Sequence, residues 1–409
     1  MKTIASDVRP PKFTYSFPQN QEKIAFFDIE TTGLSAKASS LYLIGVMYYD
    51  TSESRWQMLQ WFADNYQSEK AIIQTFLEFL ENYDHLYHFN GCTFDIPYIL
   101  HKCDRYAIRI SPHNTEVLKD STNARSIDLL KHIRPLRRAL LLEKCSQNAV
   151  EHWLGCRRTD TFDGGELIAV YSEYMQQKIL APEKSQALEQ VLLLHNHDDL
   201  EMMLEVCSVL SYEEYLMPSK TKNILTADCL SSADIQTGND TLTIAFDTSI
   251  PVPRRVSLHA EYPQAENPEE NDQAVPAFPP ASLVLDGQRC TLTVPLYRGF
   301  LKYFYPNPKD YYYLPNEDMA VHRSVAEFVE KEYRQKATAA TCYTKKEGTF
   351  LPCLTPYCKK KKNGEAPEEL PHFFLAYRDK LSFYRLPDDH LHQPGFWQSY
   401  LTEQLCAFL

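Results

Sequence analysis

Asp28 and Glu30 stand one residue apart inside the apolar run "IAFFDIETTGLS" (24–35). In a strand, side chains at i and i+2 project to the same side, about 7 Å apart along the backbone. Two like charges that close repel unless a cation sits between them. Alone, the pair is equally well the solvent face of an alternating strand. Two further stretches change the balance. "HFNGCTFDIPYI" (88–99) puts Asp95 at a helix start, directly after Phe94 and five residues after Asn90. "LLLHNHDDLEMM" (192–203) puts Asp198 and Asp199 inside the most apolar helical pattern of the chain, where a buried acid needs a positive partner. One divalent cation held by Asp28, Glu30, Asp95 and one of the last two acids would satisfy all of them. Hard oxygen ligands of this kind suit Mg²⁺ or Mn²⁺.

The elements that must carry these residues follow from periodicity. "KIAFFDIE", "SLYLIGVMYYD" and "WQMLQWFA" read as strands, and "HLYHFNG" as a short one ending in a turn. "SEKAIIQTFLEFLENY" has helical spacing behind a Ser cap. From Phe94 to Tyr215 the pattern is mostly helical, and Pro218 with its polar neighbours marks a boundary. Strands followed by helices predict a mixed α/β sheet flanked by helices.

The second half predicts an α+β domain: alternating strands around an Asp286-Gly287 hairpin turn, a helix over "EDMAVHRSVAEFVEKEYRQKA", and a final helix near "GFWQSYLTEQLCAFL". The Pro-rich acidic stretch near 260–282 reads as a mobile loop. The domains are therefore expected at 20–217 and 222–409. Eleven cysteines without paired spacing read as reduced thiols, no apolar run is long enough to cross a bilayer, and the start lacks a secretory h-region, so the chain is expected in the cytoplasm. The net charge of -12 makes the whole molecule a poor attractor of polyanions, yet Thr291 to Lys362 carries thirteen Lys and Arg against seven Asp and Glu. Eight aromatics between Tyr297 and Tyr313, interleaved with Arg298, Lys302 and Lys309, suit base stacking, although alternating Tyr more often makes a half-buried sheet face.

"FDIETTG", "FNGCTFD" and "HNHDD", in this order, resemble the three motifs of the DEDD superfamily of 3'-to-5' exonucleases, which have a ribonuclease H-like fold. "SIDLLKHIRPL" and "AVEHWLGCRRTDTFDGGELIAVYSEYM" are similar to the corresponding segments of the YprB-type ribonuclease H-like family. The resemblance implies Asp28, Glu30, Asp95 and Asp199 as ligands of two Mg²⁺ or Mn²⁺ ions; Asp198 reads as a solvated or supporting carboxylate, not a ligand. It implies that Thr31, Thr32, Gly33 and Leu34 admit a strand end, with Asn90 beside the site. The expected reaction is hydrolysis of single-stranded DNA or RNA to nucleoside 5'-monophosphates. His195 would take the proton of the attacking water. Three residues separate His195 from Asp199, a spacing that belongs to the tyrosine subclass, whereas the histidine subclass has four. The competing expectation is a non-catalytic nucleic-acid-binding module that keeps the fold.

Overall fold

The computed structural model describes residues 1–119, 125–162, 164–218, 225–263, 277–357 and 370–409. The centre of the loop expected near 260–282, and the lysine run at 358–364, lie outside the described residues. The chain divides into two compact units, Met1–Tyr212 and Glu213–Leu409.

The first unit is built on six strands: β1 (Lys2–Asp7), β2 (Ile24–Thr31), β3 (Leu41–Asp50), β4 (Arg55–Phe62), β5 (His85–His88) and β6 (Ser126–Asp128), in the order β1-β4-β3-β2-β5-β6. The pairings from β1 to β2 are antiparallel, and β2–β5 and β5–β6 are parallel. β2 is thus where the sheet changes sense. Ile24 to Phe27 are fully buried, as the unbroken apolar run requires of a central strand covered on both faces. β2 pairs with β5 only as far as Phe26, so its end, with Asp28 and Glu30, extends past that neighbour.

Among the described residues, seven α-helices are placed around this sheet: α1 (Glu69–Leu80), α2 (Asp95–Tyr106), α3 (Pro112–Val117), α4 (Leu129–Leu136), α5 (Gln147–Leu154), α6 (Gly164–Leu180) and α7 (Pro182–Cys207). Apolar residues of α1, α2, α3, α6 and α7 share one core with the sheet, in which Phe27, Ile29 and Leu43 meet Ile73 and Phe76 of α1 and Tyr171 and Tyr174 of α6. α5 stops at Gly155, whose φ of 72° is the left-handed conformation that glycine adopts cheaply at a helix end. Residues 1–19, left outside the first domain by the sequence reading, belong to this unit. β1 adds an edge strand to β4, and Arg9 pairs with Glu201 while the Lys12 amide donates to Glu205, tying the segment to α7.

The second unit holds a five-stranded antiparallel sheet in the order Asp234–Thr237, Thr241–Asp247, Arg289–Pro295, Ala281–Asp286, Val256–Ala260. The expected hairpin is present, with Asp286 opposite Arg289 and Gly287 at a φ of 56°. The aromatic strand Tyr297–Phe304 pairs with Tyr343–Pro352, and Tyr297 and Tyr303 pack on a core of Leu301, Phe350, Phe373 and Phe383. The helix expected over 317–337 does not form. Met319–His322 and Gln335–Lys336 are strands that pair with Tyr311–Leu314, and the helical pieces are short, one α-turn at Arg323–Ala326 and a 3-10 turn at Lys331–Tyr333. Val325 and Phe328 are exposed there, Phe328 by 91%, so the large apolar side chains of the expected stripe find nothing to bury them, and Arg334 shares the Ala326 carbonyl with the Val329 amide. The last helix spans Pro394–Gln404. No described helix is long and apolar enough to cross a membrane. None of the described cysteines forms a disulfide.

Candidate metal centre

Three elements bring the expected acids together. Asp28 and Glu30 come from β2, Asp95 is the first residue of α2, and His195 and Asp199 lie one turn apart on α7. Because β5 ends at His88, the Ile29 amide donates to Asp95 Oδ1 (3.3 Å) rather than to a neighbouring strand. The turn that delivers Asp95 is itself fixed. Gly91 donates to His88 Nδ1 (3.0 Å), and a Cβ on Gly91 would lie 2.7 Å from the His88 ring. Asn90, at a φ of 63°, donates its amide to Asp128 Oδ1 (2.9 Å) and accepts from the Thr93 hydroxyl (2.7 Å).

α7 crosses β2 and β3 with Leu192, Asn196, Leu200 and Met203 fully buried or nearly so, at helical spacing. Asn196 is the polar member of that stripe, and its partners explain it. Its Nδ2 donates to Asp28 Oδ2 (2.9 Å), and its Oδ1 accepts from Gln60 Nε2 (2.9 Å). Gln60 and Asn196 therefore fix the Asp28 carboxylate from behind.

The segment after Gly155 supplies two more side chains. Arg158 holds Glu151 through both nitrogens of its fork (2.5 Å each) and reaches Asp199 Oδ1 with Nη1. Asp160 Oδ2 accepts from His195 Nδ1 (2.6 Å). Asp198, expected to be a supporting acid, is buried and anchors this segment: its Oδ2 accepts the amides of Thr159 (2.7 Å) and Asp160 (2.8 Å). Burial opposes its ionisation, but His197 and those amides hold its carboxyl below the usual carboxylate value.

The remaining acids feel the opposite balance. Burial, then the charges of Asp199 and Asp95, push Asp28 well above the ordinary range, against the Asn196 hydrogen bond. Glu30 is pushed well up by burial and then by Asp28, Asp199 and Asp95. Burial takes Asp95 up to about 7, although backbone amides favour its charge. Glu30 is 7% exposed, and among the described residues nothing hydrogen-bonds to its Oε1. A buried carboxylate oxygen without a donor, among mutually repelling acids, fits a divalent cation. Oxygens or nitrogens of Glu30, His195 and Asp199 lie within 4.8 Å of one another. Asp28 and Asp95 flank this group, each already held by the hydrogen bonds described.

The expected substrate residues form the next turn of β2. Thr31 donates to the Gly33 carbonyl (2.9 Å), the Thr32 hydroxyl accepts the Ser40 amide (2.9 Å), and Leu34 is 87% exposed. Buried Lys102, paired with Glu69 (2.8 Å) and bonded to the Ser39 carbonyl, fixes the far end of that turn.

The sequence model of the RNase H superfamily matches residues 25–211. The N-terminal unit is ribonuclease H-like. In this ribonuclease H-like domain the match spans every acid of the candidate centre, from Asp28 to Asp199. No curated protein matches the chain. Among solved structures, a family B DNA polymerase from the hyperthermophilic archaeon Pyrobaculum calidifontis aligns at 14% identity and a TM-score of 0.35, over 74% of this chain and 39% of the polymerase. Sequence reasoning missed Gln60, Glu151, Arg158, Asp160 and Asn196. Only Asn196 carried a signal, as a polar residue in the buried stripe of α7.

Proposed function

We propose that this chain is a metal-dependent 3'-to-5' exonuclease that degrades single-stranded nucleic acid to nucleoside 5'-monophosphates. Asp28, Glu30, Asp95 and Asp199 would hold two Mg²⁺ or Mn²⁺ ions, with His195 beside them. The observation that carries the reading is Glu30, buried without a donor to Oε1 where the charges of Asp28, Asp95 and Asp199 converge in a ribonuclease H-like domain. Bound in pairs, such ions activate a water and stabilise the leaving oxygen of a phosphodiester.

The chain's own groups supply position. Gln60 and Asn196 fix the direction of Asp28, the Ile29 amide fixes Asp95, and Arg158 fixes Asp199. Thr31, Thr32, Gly33 and exposed Leu34 at the end of β2, with Asn90 on the neighbouring turn, would guide the strand end. One observation favours the competing reading of a non-catalytic binding module: Arg158 already gives Asp199 a positive partner.

The test is incubation of the full chain with Mn²⁺ and 5'-labelled single-stranded DNA or RNA. A ladder shortening from the 3' end is expected, with release of nucleoside 5'-monophosphates and no release by Asp28→Ala. Cleavage of a circular strand would replace the exonuclease with an endonuclease. Tight binding with no product would favour the binding module.

A further inference from the structure

His195 and Asp199 are four residues apart on α7, the spacing that puts two ligands on one helix face. His195 Nε2 lies 3.3 Å from Asp199 Oδ2 and 3.7 Å from Glu30 Oε1. The second separation is too long for a hydrogen bond. Ligand atoms each about 2.1 Å from one ion are about 3 Å apart at a right angle and about 3.4 Å apart at the tetrahedral angle. The observed spacings are close to those of atoms arranged around a common ion. The oxygen facing Nε2 is the same Glu30 Oε1 that no described group hydrogen-bonds.

The other ring nitrogen settles the tautomer. Nδ1 donates to buried Asp160 Oδ2 at 2.6 Å, which keeps that proton on Nδ1 and, in the neutral ring, leaves the lone pair on Nε2. A carboxylate behind the far nitrogen is the usual support of a metal-bound histidine, because it fixes the ring and raises its basicity. Asp160 is itself held, its amide on Asp198 and its Oδ1 accepting from the Phe162 amide (3.2 Å). Arg158 occupies Asp199 Oδ1, which turns Oδ2 toward Nε2. A base that takes a proton from water needs an open nitrogen, whereas His195 is 6% exposed with Nε2 between two acids.

We propose that His195 is a metal ligand through Nε2, completing a one-nitrogen, two-oxygen set with Glu30 and Asp199 that prefers Mn²⁺ or a later first-row divalent ion to Mg²⁺. The inference rests on the metal site of the reading above. Imidazole favours transition metals, while Mg²⁺ prefers oxygen throughout. It also removes His195 from the role of proton acceptor expected from the sequence.

Mn²⁺ bound to the full chain, observed by pulsed electron paramagnetic resonance, reads the ligand directly. A nitrogen coupling is expected in the wild-type spectrum, gone in His195→Gln. Calorimetric titration should show Mn²⁺ affinity lower by about tenfold or more in His195→Gln and by about 10–100-fold in Asp160→Asn, the range for removing a support of a metal-bound histidine. Mg²⁺ affinity should be weaker than that for Mn²⁺ in the wild type. The wild-type spectrum needs no variant to fold, and circular dichroism checks the two that are used. Mn²⁺ binding without nitrogen coupling, unchanged by His195→Gln, overturns this inference and leaves the nuclease reading standing. Absence of any Mn²⁺ binding overturns both.

Discussion

Glu30 states the site's problem at the scale of one residue. Its carboxyl is pushed well above the ordinary value by burial and then by four neighbouring acids, so its charged form is penalised in the folded chain. The sign follows: above the usual carboxylate pKa, ionised Glu30 subtracts from stability, and a cation restores what is lost. Glu30→Gln keeps the shape and removes the charge. In chelator it should melt higher than the wild type, by on the order of 1 kcal/mol or about 2–4 °C for a unit of this size. The rise in melting temperature that Mn²⁺ gives the wild type should shrink or vanish. Thermal melts in chelator and in Mn²⁺ check both halves, and a variant that melts lower in chelator would show that the charge is already compensated. Asp198 makes the contrast within the same motif. Next to Asp199 in sequence, it is satisfied by two amides and has no need of an ion.

At the scale of elements, the site depends on how closely α7 lies over β3. Gly45 is paired with Asp28 in the β2–β3 register, and a Cβ there would overlap the Asn196 amide and come within 2.5 Å of Leu200 Cδ1. Gly45→Ala must therefore move the helix or the amide that steers Asp28. The expected cost is about 1–3 kcal/mol, the usual range for overpacking a core, with weakened Mn²⁺ binding; denaturant melts and titration measure the two. Unchanged stability would mean that α7 slides at no cost. The same elements show what the sequence could and could not carry. Asp28, Glu30 and Asp199 stood out in the sequence as candidates because carboxylates are conspicuous inside the apolar run of β2 and the apolar pattern of α7, and Asp95 because it follows Phe94 at a helix start. The Arg158 and Asp160 contacts were not, since a segment following a helix-ending glycine has no periodicity and its partners on α7 are 41 and 35 residues away. β1 was lost for a similar reason: six residues ahead of a Pro-rich stretch give weak alternation, and pairing with β4 alone stabilises them as an edge strand. The helix expected over 317–337 failed because spacing reports a stripe and says nothing of whether a surface exists to bury it.

At the scale of the whole molecule, the chain has two compact units and each closes its own core. Two units with separate cores should unfold in two calorimetric transitions, and metal and acid should act on different ones. Mn²⁺ is expected to raise the transition of the first unit alone, since every acid of the candidate centre lies between Asp28 and Asp199. The second unit has its own electrostatic marker. Asp318 accepts from the Tyr313 hydroxyl (2.6 Å) and from Tyr343, and pairs with Lys345. Burial opposes its ionisation, but those partners outweigh it and hold the carboxyl down to about 2. A carboxyl lowered in the folded state contributes stability that is fully present above its unfolded pKa of about 3.9 and is lost as pH falls through the folded value. The temperature gap between wild type and Asp318→Asn in the second transition should therefore close as pH drops from about 4 to about 2. It should stay constant at higher pH, with the first transition indifferent to the substitution throughout. A pH-independent gap would mean that Asp318 acts through shape rather than charge, and a single transition responding to both Mn²⁺ and Asp318→Asn would mean that the two cores melt as one.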